Sequence, residues 1–213
     1  MESKIEYYEN QSYKFDPLEH FTIRIEEMKK QSSYGKMVAS KWMDIYEQIL
    51  TNEGYPVVHP IGQETFSLYA EFPTGVFEYA LDIDGATEFI KENNIEPLKI
   101  SPKEIIQAVD TGNINRDPNL IKPNHKNPIM ILQSKYLTDN HPYCINGNHR
   151  IFEAERNNDK EIEVYLFSEL KFDPFFYDTF SKAIYFFEID YWNVILDKRY
   201  LLNNENEAFA YRL

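Results

Sequence analysis

Positive charge is scarce in this 213-residue chain: 22 Lys and Arg face 35 Asp and Glu, for a formal charge of −13. A surface this acidic does not draw phosphate backbones or anionic membranes non-specifically, so neither sequence-independent duplex DNA binding nor membrane association is expected. Cysteine is rarer still. Cys144 alone excludes an internal disulfide and an all-thiolate metal site, and it fits a reducing compartment. The seven glycines are spread so thinly that neither a Walker A loop nor a G-x-G-x-x-G fingerprint can be written. There is no H-E-x-x-H, the five histidines lack metal-ligand spacing, and a G-x-S-x-G elbow is missing. The opening residues "MESKIEYYENQSYKF" hold no apolar signal core, and no later run is long enough to span a bilayer. The expected compartment is the cytoplasm.

What is present is an ordinary globular composition, 43% hydrophobic and 27% charged, with 16 Tyr and 15 Phe that predict a core of large rings. The residues up to about 16 read as a loose polar arm. Helical periodicity then begins near Pro17, and "GKMVASKWMDIYEQILTNEG" sets Val38, Trp42, Ile45 and Ile49 on one face. Two strands are expected around Pro73-Thr74-Gly75, with Phe66, Leu68, Ala70 and Phe72 alternating in the first; "GATEFIKENN" follows as a short helix.

From residue 96 the texture is that of a compact α/β core. Ser101 is a candidate N-cap, Pro102 suits the first helical position and Glu104 completes a capping box. "NPIMILQ" and "PYCIN" read as strands, "HRIFEAERNN" as a helix, and "EIEVYLF" as a strand with Ile162, Val164 and Leu166 on one face. Beyond residue 169 the chain is helical again. Asp173-Pro174 marks a start, and Phe176, Phe180, Ala183, Ile184 and Phe187 form an apolar face suited to a brace or lid. The class is α/β (α+β), in three parts: a helix-plus-hairpin extension over 1–95, a core over 96–168 and a helical brace over 169–213.

Two places carry chemistry. "LDIDG" sets Asp82 and Asp84 two apart, a weak oxygen-ligand pair for Mg²⁺, and the favoured reading of the pair is a strand end entering a turn. "YCINGNHRIFEAER" places His149 and Arg150 at the start of a helix, where backbone N–H groups and the macrodipole already make the environment positive. Gly147 permits a tight turn and close approach of a ligand. The N–H groups after it can cradle a phosphate, Arg150 can add a bidentate contact, and His149 can add a donor. Asn146, Gly147, Asn148, His149 and Arg150 are thus the expected phosphate-binding residues. The competing reading pairs Arg150 with Glu153 or Glu155 and leaves His149 as a packing residue.

The order "ISPKEI", then "NPIMIL", then "YCINGNHRIFEAERNNDKEIEVYLF" resembles the ParB N-terminal/sulfiredoxin superfamily, over roughly residues 96–168. The resemblance rests most on Gly147, His149, Arg150 and Ala154. It implies a fold that binds a nucleotide's phosphates at the strand-to-helix junction, with ATP contacted by a His-Arg pair in the sulfiredoxin branch and CTP bound in the ParB branch. A nucleoside triphosphate with Mg²⁺ is the implied cofactor. The sulfiredoxin nucleophilic cysteine falls where this chain has Asn148, so sulfinic-acid reduction is not expected, and no helix-turn-helix follows residue 168.

The leading expectation is a protein that binds a nucleotide or phosphorylated small molecule, with hydrolysis or transfer of a phosphate compatible with it. Acid–base candidates are weak: His149, which Arg150 would keep neutral, and Glu104 on the first core helix. Two rivals come from other classes. One is a non-catalytic acidic interaction protein, of the immunity, anti-toxin or decoy kind, that binds a basic protein partner. The other is a ParB-like nuclease with its metal at Asp82 and Asp84.

Overall fold

A computed structural model of the chain describes residues 4–48, 50–111, 114, 127–202 and 207–213. The fold class is mixed α and β. In chain order the described elements are α1 (Lys4–Ser12), α2 (Pro17–Gln31), α3 (Ser33–Gln48), β1 (Thr65–Phe72), β2 (Gly75–Asp82), α4 (Ile83–Glu92), β3 (Leu98–Ile100), α5 (Pro102–Ile105), β4 (Ile129–Leu132), β5 (Tyr143–Asn146), α6 (Asn148–Arg156), β6 (Ile162–Phe167) and α7 (Thr179–Ile195). None of the described helices is long and apolar enough to cross a membrane.

Instead of three consecutive parts, the chain forms two interleaved units. The first comprises Met1–Ile5, His59–Leu68 and Ala80–Tyr177; the second comprises Glu6–Val58, Tyr69–Tyr79 and Asp178–Leu213. The expected 1–95 extension is therefore divided, because its helices and the C-terminal helix bury their apolar faces in one common core.

The first unit is organised by a four-stranded sheet in the order β3-β6-β4-β5, with β4 parallel to β6 and antiparallel to β5, and β3 antiparallel to β6. Every residue of β4 is buried, as expected of a short apolar strand between two neighbours. Ile105, Ala108, Val109, Ile129, Ile131, Cys144, Ile151 and Val164 form its apolar core. In β6 the expected alternation slips. Val164 and Phe167 are buried while Leu166 is exposed, so the inward set is not the even-numbered one throughout. Ser101 occupies the N-cap position of α5, but its side chain makes no cap hydrogen bond, and the helix ends after four residues.

The second unit is built on rings. Phe21 stacks on Phe187 at 4.2 Å, Trp42 meets Phe187 edge-on at 5.3 Å, and Tyr55 stacks on Phe77 at 5.0 Å. Val38, Trp42 and Ile45 of α3 are buried as their spacing predicts, whereas Ile49 lies outside the described residues. The expected loose arm is helix α1. Tertiary contact overrides its polar composition: the Tyr8 ring stacks on Tyr69, and its hydroxyl donates to the Glu71 carboxylate.

The C-terminal region departs furthest from expectation. Asp173-Pro174 opens a short 3-10 helix, Asp173–Phe175, and helix α7 starts separately at Thr179, where the Asp178 side chain caps it by accepting from the Ser181 N–H at 2.7 Å. It is buried nearly all round from Phe180 to Val194, so it is a central core helix and not a brace. The polar residues on it are consequently matched. Asp190 accepts from the indole N–H of Trp42 at 2.8 Å and from the backbone N–H groups of Phe209 and Ala210 at 2.9 Å each.

Candidate functional site

Strand β5 ends at Asn146, and Gly147 turns the chain into α6 with φ 98° and ψ 19°, in the left-handed region. Two constraints demand glycine here. The dihedral angle disfavours a side chain, and a Cβ would lie 2.8 Å from Ile129 Cγ1 and 3.0 Å from Nη2 of Arg150. The guanidinium therefore folds back along the helix toward its own N-terminus, the direction in which helical side chains point.

The asparagines flanking Gly147 brace the turn. The Asn146 amide donates to the carbonyl of Pro128 at 2.8 Å, and the Asn148 amide donates to the carbonyl of Cys144 at 3.3 Å while its oxygen accepts from the N–H of Asp110 at 2.9 Å. Both side chains are buried and occupied with backbone. Of the five expected ligand residues, these two thus hold the junction in shape, and Gly147, His149 and Arg150 are the ones placed around the helix start. His149 is half-buried at the second position of α6.

Asp110 is a participant that the sequence reading missed. Besides its N–H contact with Asn148, its carboxylate accepts from the Tyr143 hydroxyl at 2.6 Å. Burial, reinforced by that carboxylate, raises the Tyr143 phenol well above its ordinary value. The only signal for Asp110 was its position at the end of the apolar run after Ser101, which says nothing of a partner 33 or 38 residues away.

Arg150 is the unusual group. Its Nη2 is buried and has no hydrogen-bond partner among the described residues. Burial pulls the guanidinium below its ordinary value, with Cys144 and the Glu64 carboxylate acting in the opposite direction. The local ion pair that would have explained this side chain goes elsewhere: Glu153 pairs with Arg156 at 3.5 Å. Leaving a buried donor unmatched costs roughly 1–3 kcal/mol, more for a charged group.

The remaining candidates have other duties. Asp82 caps α4 by accepting from the N–H of Gly85 at 2.8 Å. Asp84 accepts from the N–H of Glu64 at 2.7 Å and from the amide of Asn127 at 2.8 Å. The pair that could have held Mg²⁺ is thus engaged in tying strand and helix together, and among the described residues no group of three or more His, Cys, Asp or Glu is arranged to hold a metal. Glu104 is exposed on α5. Cys144 is fully buried, donates to the carbonyl of Asn146 at 3.1 Å, and is pushed up to about 12 by burial, which suppresses the reactive thiolate.

What results is a strand-to-helix turn with backbone room at Gly147, partial positive charge at the start of a nine-residue helix, and an unmatched guanidinium nitrogen beside it. Arranged in this way, these groups can donate hydrogen bonds to an anion. Compared with known proteins, the chain matches no family model, no curated protein and no solved structure.

Proposed function

We propose that this protein binds a phosphorylated small molecule, with nucleoside di- and triphosphates the first class to test, at the β5–α6 junction of a ParB/sulfiredoxin-like core over about residues 96–168. The observation that carries this reading is the buried, unmatched Nη2 of Arg150 beside Gly147. A phosphate oxygen supplies an acceptor that Nη2 lacks among the described residues, and the N–H groups of Asn148 and His149 at the helix start add neutral donors to the same anion. The bond formed is charge-assisted and can be bidentate. Mg²⁺, where a triphosphate is the ligand, arrives with the phosphates, because such sites hold it largely through substrate oxygens and water.

Binding and not thiol chemistry is the role the residues support, since Asn148 stands at the sulfiredoxin cysteine position with its amide tied to backbone, and the buried Cys144 is inert. With a net charge of −13, free duplex DNA is a poor ligand for this site. The test is a melting-temperature panel of nucleotides, sugar phosphates and inorganic phosphate, with and without Mg²⁺. A ligand at about a hundred times its Kd stabilises the folded chain by roughly 2.7 kcal/mol. If no phosphate compound at millimolar concentration shifts the transition, the reading fails and the acidic interaction protein replaces it.

A further inference from the structure

In the second unit a hydrogen-bonded chain of side chains ends on the hydroxyl of a residue that lines a cleft. His20, on α2, is wholly buried, with Nε2 3.0 Å from Oε1 of Glu188 and Nδ1 2.8 Å from Oγ1 of Thr74. Glu188, on α7, is held in turn by Arg24, whose Nε lies 3.2 Å from Oε1 and whose Nη2 lies 3.4 Å from Oε2. Glu188 is paired with Arg24 through both carboxylate oxygens and serves as the acceptor for the Nε2–H of His20. In that tautomer Nδ1 presents a lone pair, and the Thr74 hydroxyl donates to it. A hydroxyl, a base that accepts its proton, and a carboxylate that orients the base are the three parts that activate a weak oxygen nucleophile.

Thr74 sits where such a group is reachable. It lies at the hairpin turn before Gly75, which has φ 130°, and it lines a cleft of about 380 Å³ together with Tyr7, Gln11, Lys14, Glu71 and Phe72. That volume falls in the range of small-molecule pockets. A histidine buried only for packing needs its two nitrogens satisfied and no more, and a backbone carbonyl for the N–H with a backbone N–H for the lone pair would do. Here one nitrogen instead reaches a hydroxyl on the wall of a cleft.

We propose that Thr74 is a nucleophile for acyl transfer from small esters with an apolar or aromatic group, with His20 as its general base and Glu188 as a positioning residue. Oγ1 attacks the ester carbonyl carbon as its proton passes to Nδ1 of His20. The carbon–oxygen bond to the alcohol breaks, and the proton moves from Nδ1 to the departing oxygen. Water then attacks the acyl-threonine in the same way, releases the acid and restores the hydroxyl. This site is independent of the phosphate site in the other unit.

The experiment treats the full chain with an alkyl fluorophosphonate, which forms an Oγ1–phosphorus bond with loss of fluoride, and maps the adduct by peptide mass spectrometry. In parallel it follows p-nitrophenol release from p-nitrophenyl acetate across pH. The expected result is an adduct on Thr74, kept in Thr74→Ser and lost in Thr74→Val. Esterase rate should fall roughly a hundredfold in Thr74→Val while the melting transition is retained. Glu188→Gln should lower kcat and change the shape of the pH profile. Mapping the wild-type adduct decides the matter even if a variant fails to fold. No adduct on Thr74, or ester hydrolysis undiminished in a folded Thr74→Val, overturns the proposal.

Discussion

Arg24 in the second unit and Arg150 in the first are both arginines drawn out of water, and the protein treats them in opposite ways. Arg24 is paired through two nitrogens with Glu188, lies 3.8 Å from Glu27, and stacks its guanidinium 4.0 Å over the Tyr191 ring. Arg150 has a buried nitrogen with nothing to donate to among the described residues. A buried cation that is fully matched belongs to the fold, since removing it strands the partner. One left unmatched carries a desolvation cost that a bound anion can offset. The contrast is between an arginine matched by its neighbours and one with a buried donor to spare among the described residues.

The sharpest way to break the comparison is to delete the structural cation. Arg24→Ala leaves Glu188 charged and buried, and should cost about 3–5 kcal/mol in urea denaturation, near the whole stability of a small domain. A loss below about 1 kcal/mol would mean that the pair is not held as described, and the contrast would collapse.

A buried anion sharpens it next. Asp190 accepts three hydrogen bonds, yet burial outweighs them and raises its carboxyl to about 6. A folded value above the ordinary one means that the native state favours the protonated form. The corresponding stability is fully present below about pH 4 and is lost as pH rises through about 6, on the order of 3 kcal/mol. Asp190→Asn, measured beside wild type at a series of pH values, should remove that slope. If both proteins show the same pH dependence, Asp190 does not titrate there.

Arg150 comes third, because its effect belongs to binding. Arg150→Ala should leave the unliganded protein at least as stable as wild type, because it removes the roughly 1–3 kcal/mol cost of a buried, unmatched donor. It should weaken the phosphate ligand by about 1.5–3 kcal/mol, or roughly one to two decades of Kd. Arg150→Lys should recover only part, since an ammonium keeps the charge and loses the fork. A calorimetric titration of the three proteins checks both halves. Lost stability with unchanged affinity would make Arg150 a second Arg24. The smallest effect is expected at Cys144→Ser, where a hydroxyl can keep the bond to the Asn146 carbonyl and the cost is about 1 kcal/mol. Rapid alkylation of the native thiol at neutral pH would contradict its burial.

Legibility followed the range of the interactions. The helix carrying Val38, Trp42 and Ile45, the buried strand Ile129–Leu132 and the turn at Gly147 were readable, because each rests on spacing within a few residues. The roles of Asn146 and Asn148 were not. As residues of a loop before a helix they look available to a ligand, and only the chain segments around Pro128 and Asp110 show where their amides go. Arg150 is the clearest case. Its sequence neighbours offered Glu153 one turn on, and nothing local said that Glu153 would face Arg156 instead.

The sequence by itself determined the mixed α/β class, the net acidity, the exclusion of an internal disulfide, a Walker A loop and a G-x-G-x-x-G fingerprint, and the strand-to-helix position of Gly147 to Arg150. These depend on composition and on periodicities that a few residues carry. Tertiary structure decided that the C-terminal helix is a core element and not a brace. It also decided that Glu188 meets Arg24 across 164 positions and His20 across 168, and that one nitrogen of Arg150 has no partner among the described residues. Burial and hydrogen-bond matching are properties of distant segments brought together, and no local pattern encodes which carboxylate a buried cation will find.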